Sequence, residues 1–438
     1  MTSFSFDFHS VKQRIAMRPS WQYFGKVTEV IGLTVQAGGV RASIGELCLI
    51  GSPPGQVEAE VVGFSGDKLY LFPFAPLHGI APGSPVHPLR KRLSVRVGAY
   101  LLGKIVDGLG RPMTNGKVSP PHYDYPLDQA PPNPLERERV KDVLETGVKS
   151  IDLFLTAGSG QRLGIFAGSG VGKSTLLGMI ARGSTADCNV IALVGERGRE
   201  VRDFLERDLG PEGLAKSVVV VATSDQPALL RIKAALTATA IAEYFRDQGK
   251  QVMLLMDSVT RFATAQREIG LAIGEPPTTR GFPPSVFALL PKLLERSGTS
   301  SRGSISALYT VLVDGDDMNE PIADAVRGIL DGHIVLSRKL AERNHYPSID
   351  VLQSISRLAT ELSSQDHLNL ASRCRNLLAV YRQNEDLINI GAYVKGSSPL
   401  IDEAIDKYPR IMQLLAQATH ERWQLQDSLT ELANVMAR

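Results

Sequence analysis

A glycine-rich run ending in a lysine and two hydroxyls, Gly164 to Leu177 (GIFAGSGVGKSTLL), is the first stretch with chemistry in it. Its loop residues Gly168, Ser169, Gly170, Val171 and Gly172 lead into Lys173, Ser174 and Thr175. In such a P-loop, backbone N–H groups of the loop and of the following helix surround polyphosphate oxygens. The lysine reaches the β- and γ-phosphates and the first hydroxyl meets Mg²⁺. The spacing predicts a nucleoside triphosphate site with Lys173 and Ser174 in those roles. Ala167 stands where the strict pattern has its first glycine, which leaves the tight turn to Gly168, Gly170 and Gly172.

Two carboxylates follow apolar runs. Asp257 closes VMLLM. There it can hold Mg²⁺, usually through the ion's water, while the ion neutralises phosphate charge. An aspartate at a strand end also commonly caps the next helix; the P-loop upstream favours the metal. Glu196 follows NVIALVG and precedes Arg197. ATP hydrolysis needs a group that orients and polarises the attacking water, and the C-terminal edge of a sheet is the side on which ligands bind. By spacing alone, Glu196 fits equally a surface glutamate that starts a loop.

These residues need a parallel sheet behind them. Gln161–Phe166 suits a buried strand and Ser174–Arg182 an amphipathic helix. Beyond them strands at Asn189–Val194, Ser217–Ala222 and Gln251–Met256 alternate with helices at Arg199–Asp208 and Ala228–Arg246. Continuous apolar strands alternating with helices imply a parallel sheet covered on both faces. From about Leu340 the chain reads as helical, and Ile411, Leu414, Leu415, Ala418, Leu425, Leu429, Leu432 and Met436 form one helical stripe. Trp21 to about Arg92 carries short β-type runs broken by glycine, a small barrel or sandwich with no catalytic constellation. Residues 1–20 read as a tail whose stripe Phe4, Phe8, Val11 and Ile15 needs a partner, either another protein or its own domain. Residues 120–134 hold six prolines and read as an extended ordered crossing.

A chain of 438 residues implies two or three domains. Its net charge of +2 gives no strong overall field, which argues against a dedicated nucleic-acid binder, and the barrel region shows no basic-aromatic face. Cys48, Cys188 and Cys374 are too few and too scattered for a disulfide framework or a zinc site. No apolar run approaches membrane-spanning length, so a cytoplasmic protein with at most peripheral membrane association is expected.

Six strings occur in order: LTAGSGQRLGIF (Leu155–Phe166) with the P-loop, VGERGREV (Val194–Val201), MDSVTRFATAQREI (Met256–Ile269), GEPPTTRGFPPSVF (Gly274–Phe287), GDDMNEPIAD (Gly315–Asp324) and YPSIDVLQSISR (Tyr346–Arg357). Together, over about residues 21–438, the chain resembles the subunits of rotary ATP synthases. The type III export ATPases are the most similar, their flagellar branch first and the injectisome branch as near kin. The resemblance implies Glu196 as catalytic carboxylate with Arg197 beside it, and Lys173 and Ser174 on phosphate and Mg²⁺. It further implies Asp257 as Walker B aspartate and Arg261 as an arginine approaching the phosphates. Tyr346 becomes an aromatic on adenine, and Arg357 an arginine finger given across a subunit interface; read alone, Arg357 would pair with a nearby glutamate. Tyr393 is a candidate for adenine's second face.

The fold implied is an α/β chain in three parts: an N-terminal barrel (21–92), a central RecA-like ATPase domain with a mainly parallel sheet (93–345), and a C-terminal helical domain (346–438). The acidic coupling loop of synthase catalytic subunits is missing, and one chain carries both Glu196 and Arg357, so a homohexamer is expected. The implied partners are a stator-like regulator bound through the N-terminal segment, a coiled-coil stalk protein, export-gate membrane proteins, and export substrates with chaperones, but no nucleic acid. Rival readings are an injectisome ATPase, a ring nucleic-acid translocase with basic pore loops, and a non-catalytic nucleotide-binding subunit.

Overall fold

The structure, a computed structural model, describes residues 24–113, 122–313, 315 and 317–437, together with Lys12. The expected N-terminal tail helix thus lies outside the described residues, Lys12 apart. The chain forms two compact units, one up to Leu93 and one from Ser94 onward.

In the first unit six strands close a barrel in the order β1-β2-β5-β4-β3-β6, as the short β-type runs predict. They are β1 (Gly25–Ile31), β2 (Thr34–Gly38), β3 (Glu46–Ile50), β4 (Val57–Ser65), β5 (Lys68–Pro73) and β6 (Pro85–Arg92). Val27, Val35, Cys48, Ile50, Ala59, Val61, Leu71 and Val86 fill it. β1 begins at Gly25, where a Cβ would stand 2.6 Å from the carbonyl oxygen of Gly38, so only glycine lets the strands approach there.

The second unit is built on nine strands: β8 (Ile105–Asp107), β12 (Arg162–Ala167), β13 (Cys188–Glu196), β14 (Ser217–Thr223), β15 (Gln251–Asp257), β16 (Gly298–Thr299), β17 (Ser304–Leu312), β18 (Gly332–Leu336) and β19 (Ile355–Ser356). Their order is β19-β18-β12-β17-β15-β13-β14-β8, with β16 on β17. All pairings are parallel except those of β16 and β19. β13 is buried at every position from Cys188 to Gly195, which is why its sequence shows no alternation. The proline-rich crossing is ordered from residue 122: β9 (Tyr123–Pro126) pairs with β7 (Ser94–Val97). Beside the main sheet, β10 (Val143–Leu144) and β11 (Ala157–Gly158) form a small ladder.

The helices are α1 (Lys149–Phe154), α2 (Lys173–Gly183), α3 (Gly198–Asp203), α4 (Gly210–Ala215), α5 (Ala228–Asp247), α6 (Val259–Ala272), α7 (Pro284–Leu294), α8 (Pro321–Ile329), α9 (Arg338–Glu342), α10 (Ala359–Leu362), α11 (Gln365–Asn389), α12 (Pro399–Leu415) and α13 (Leu425–Ala437). α3 reaches α4 through a π-wound stretch, Phe204–Leu209, so the single helix expected over 199–208 changes winding midway. Cys374, Leu377, Ile411, Leu414, Leu432 and Met436 of the last three helices share one core with Leu163 and Ile165 of the sheet and Leu177 of α2.

The apolar stripe expected over 411–436 is broken. α12 ends at Leu415, α13 starts at Leu425, and Ala418 between them is exposed. Gln417 causes the break. Its backbone N–H donates to the Tyr346 carbonyl at 2.9 Å. Its side chain accepts from the Lys149 N–H at 2.9 Å and donates to the Gly147 carbonyl at 2.8 Å. Bonds to three partners outside the helix outweigh one more helical turn.

Candidate active site

β12 delivers the loop and α2 receives it. Gly170 (φ 78°) and Gly172 (φ 90°) lie in the left-handed region, where a side chain is strained. Ala167 needs no such freedom. It is still strand, paired with both Leu312 and Leu336, which explains why alanine serves where the strict motif has glycine. α2 opens at Lys173 without a side-chain cap, leaving the helix N-terminus as an anion-facing cluster of N–H groups alongside Ser174 and Thr175.

Strand order places both carboxylates beside that lysine. Asp257 ends β15 and Glu196 ends β13, with β17 between β15 and the P-loop strand. Lys173 Nζ lies 2.5 Å from Asp257 Oδ1 and 3.6 Å from Glu196 Oε1. Asp257 is held from β17, where the Thr310 hydroxyl donates to the same Oδ1 at 2.8 Å. Burial works against the charge on Lys173, but Asp257 and then Glu196 outweigh it and hold the ammonium above its ordinary value. Burial, followed by the charge of Asp257, pushes the Glu196 carboxyl up to about 7 against the pull of Lys173. A hydrogen bond to Glu200 keeps the proton on Glu196 and holds Glu200 low. Glu196 Oε1 is buried and takes no hydrogen bond among the described residues.

Arg261 packs against this group. A Cβ on Gly195 would stand 2.9 Å from its Cβ, so glycine at 195 lets α6 lie close to the end of β13. Arg261 Nε is buried without a hydrogen-bond partner among the described residues. Tyr346, a residue 39% exposed, borders the P-loop on another side: a Cβ on Gly172 would stand 3.4 Å from its ring. Ser348 Oγ donates to the Val171 carbonyl at 2.6 Å and fixes that contact.

Other candidates sit apart. Arg197 is on the surface, its guanidinium bonded to Glu200 at 2.7 Å. The Tyr393 hydroxyl is committed to Asp402 and the Ser398 carbonyl in the α11–α12 turn, and no contact joins it to the P-loop among the described residues. Arg357 follows the edge strand β19, at the end of the sheet away from the P-loop. A cavity of about 390 Å³ between α9, α11 and α12 reaches the P-loop only at Ala167 and Gly168 and includes none of Lys173, Glu196 or Asp257. The site is therefore defined by the lysine and its carboxylates, which lie outside that cavity.

Sequence reasoning missed Thr310, Ser348, Glu200 and Gln417. Thr310 sits in a strand that is buried almost throughout but whose sequence, SISALYTVL, singles out no polar residue, and Ser348 and Gln417 act through chain crossings that local spacing does not encode. Glu200 was visible only as the last acid of VGERGREV.

Comparison with known proteins adds three family matches. The nucleotide-binding domain of the ATP synthase alpha/beta family matches residues 147–356, and the beta-barrel domain of that family matches 27–90. A type III secretion ATPase C-terminal domain, named for EscN, matches 363–434. The chain is 57% identical over 425 residues to the flagellum-specific ATP synthase of Bacillus subtilis, covering 96% of this chain and 97% of that protein. It is 49% identical to a type 3 secretion system ATPase of Xanthomonas euvesicatoria, covering 97% of each. Among solved structures, the assembled ATPase EscN of enteropathogenic E. coli superposes with a TM-score of 0.88 at 48% identity, covering 94% of this chain and 99% of that one. EscN is also known in complex with its central stalk EscO, at a TM-score of 0.87.

Proposed function

The chain belongs to the ATP synthase alpha/beta family and is an ATPase of its flagellum-specific and type III secretion branch; from that premise we propose that it hydrolyses ATP to assist export of flagellar proteins. The observation that carries the chemistry is Lys173 held between Asp257 and Glu196 at the mouth of a P-loop. The flagellar setting rests on identity, 57% to a flagellum-specific relative against 49% to an injectisome one.

The chain's own groups divide the work. Loop N–H groups and Lys173 take the β- and γ-phosphate charge. Glu196, with a buried oxygen that is unbonded among the described residues, orients the attacking water and receives its proton. Tyr346 offers its ring to the base. Arg261, half-buried with its Nε unbonded among the described residues, supplies a cation beside the end of β13. Arg197, tied to Glu200, acts by holding that glutamate rather than by meeting phosphate.

The residues fit a Mg²⁺ ion. Ser174 and buried Asp257 are hard oxygen donors, and no cluster of three or more acidic, His or Cys ligands exists among the described residues, as suits an ion held jointly with phosphates. When bound, the ion neutralises phosphate charge.

Arg357 is read as the finger of a neighbouring subunit in a homohexamer. A stalk in the manner of EscO, a stator-like regulator, gate membrane proteins and chaperoned substrates are its proposed partners. Among the described residues no helix is long and apolar enough to cross a membrane, so attachment at the export gate is proposed as peripheral. Deleting the gene and complementing with Glu196→Gln tests the setting. Loss of filament growth supports flagellar export; intact filaments with loss of another secreted set point to an injectisome.

A further inference from the structure

We propose that Ile355 is the apolar anchor by which one copy of this chain docks on the next and so sets Arg357 over the neighbour's phosphates. The proposal rests on the reading of Arg357 as a finger acting in trans.

β19 is a two-residue edge strand with Ile355 exposed and Ser356 buried, and Arg357, the turn residue that follows it, is exposed. Two residues of chain span at most about 7 Å, so the exposed Ile355 and Arg357 open to solvent close together. Ser356 is the pin. Its Oγ donates to the Thr156 carbonyl and accepts from Gln161 Nε2, both at 3.0 Å. The Arg357 N–H donates to the Asp331 carbonyl at 3.0 Å. A Cβ on Gly332 would stand 2.4 Å from the Ile355 carbonyl oxygen, so the strand seats only because residue 332 is glycine.

The approach to β19 is equally fixed. Ser354 Oγ accepts from the Val335 N–H at 2.9 Å and donates to the Asp350 carbonyl at 2.6 Å. The Asp350 carboxylate accepts the N–H groups of Leu352 and Gln353 and both contacts of Arg382. Such a segment loses little conformational freedom on docking.

A single exposed apolar residue is ordinary. What distinguishes Ile355, 47% exposed, is its companion. Arg357 is exposed and forms no ion pair among the described residues. It stands at the wrong end of the sheet for its own P-loop, so the surface it serves belongs to a second copy. An apolar contact beside the guanidinium would exclude water and strengthen the charge interaction.

The test uses the full chain with Ile355→Asp, Ile355→Ala and Ile355→Leu. Three quantities are read: specific activity against protein concentration, assembly by sedimentation, and binding of a fluorescent ATP analogue to dilute protein. Ile355→Asp should raise the concentration for half-maximal assembly and activity about tenfold or more, with analogue affinity unchanged. Ile355→Ala should lie between, and Ile355→Leu near the parent. Arg357→Ala should assemble normally yet not turn over, which separates anchor from finger. Assembly and activity of Ile355→Asp at parental concentrations overturns the proposal. If Ile355→Asp loses analogue binding through misfolding, the Ala and Leu variants decide: Ala shifted and Leu restored supports it, Ala unshifted overturns it. A fully active Arg357→Ala removes the finger reading on its own, while the assembly shift still judges Ile355.

Discussion

Arg357 and Lys173 of one chain lie at opposite ends of β12. The Arg357 N–H bonds to the Asp331 carbonyl, and Asp331 exchanges backbone and side-chain bonds with Arg162, the first residue of β12. Lys173 comes after Ala167, the last residue, and the loop beyond it. Five strand steps at about 3.3 Å, roughly 16 Å, separate the two levels before the loop is added. An arginine side chain does not bridge that gap, so Arg357 does not reach the P-loop of its own chain, as the proposed action on a neighbouring subunit requires.

Glu196→Gln should leave ATP binding near normal and lower kcat by about two orders of magnitude or more, measured by nucleotide titration and phosphate release. Lys173→Ala should instead weaken binding itself, since Lys173 is the cation nearest the phosphate cradle. Parental turnover in Glu196→Gln would remove the assignment.

Acid should inhibit from an unusually high pH. Burial, and then Asp257, lift Glu196 to about 7, and a base works only as the anion. Turnover should be full above that value and fall as pH drops through about 7, not through the ordinary carboxylate range near 4.3. A kcat profile flat from pH 8 to 5.5 would count against Glu196 as the base.

Tyr346→Ala should raise the Kd for ATP about tenfold, the scale of one lost base–aromatic stack, while Tyr346→Phe should not. The two variants, compared by fluorescence titration, separate stacking from any role of the hydroxyl.

Stability should depend on a pair far from the chemistry. Arg296 and Glu243 are almost wholly buried and doubly bonded at 2.8 and 2.6 Å, and Arg296 also donates to the Leu127 carbonyl of the proline-rich crossing. Glu243→Ala strands a buried cation and should cost about 3–5 kcal/mol in denaturant unfolding of the second unit. Glu243→Gln, which keeps one acceptor, should cost less.

The sequence was legible where function is carried by adjacent residues or by strand ends. The P-loop spacing predicts the strand, loop and helix that set Lys173 and Ser174 at a helix start, and parallel strands necessarily bring Asp257 and Glu196 to the same edge of the sheet. The partners of side chains were not legible. VGERGREV does not say that Arg197 turns back to Glu200, and GAYVKGSSP does not say that Tyr393 closes its own turn. A helical stripe through Ala418 looked continuous because periodicity ignores Gln417, whose bonds reach residues about 270 positions earlier in the chain. Ser356 between exposed Ile355 and Arg357 was equally silent until β19 was seen at a sheet edge.

The most direct test of a site completed between subunits is a mixture of two inactive proteins. Arg357→Ala keeps Glu196, and Glu196→Gln keeps Arg357; fingers contribute about 10³–10⁵ in rate in related phosphoryl transfer, so each alone should be nearly dead. After dissociation and co-assembly, verified by differently tagged subunits in one ring, ATPase activity should reappear at interfaces that join an intact Glu196 to an intact Arg357. Mixed rings as inactive as either parent would contradict the account and make Arg357 a residue of its own subunit's structure.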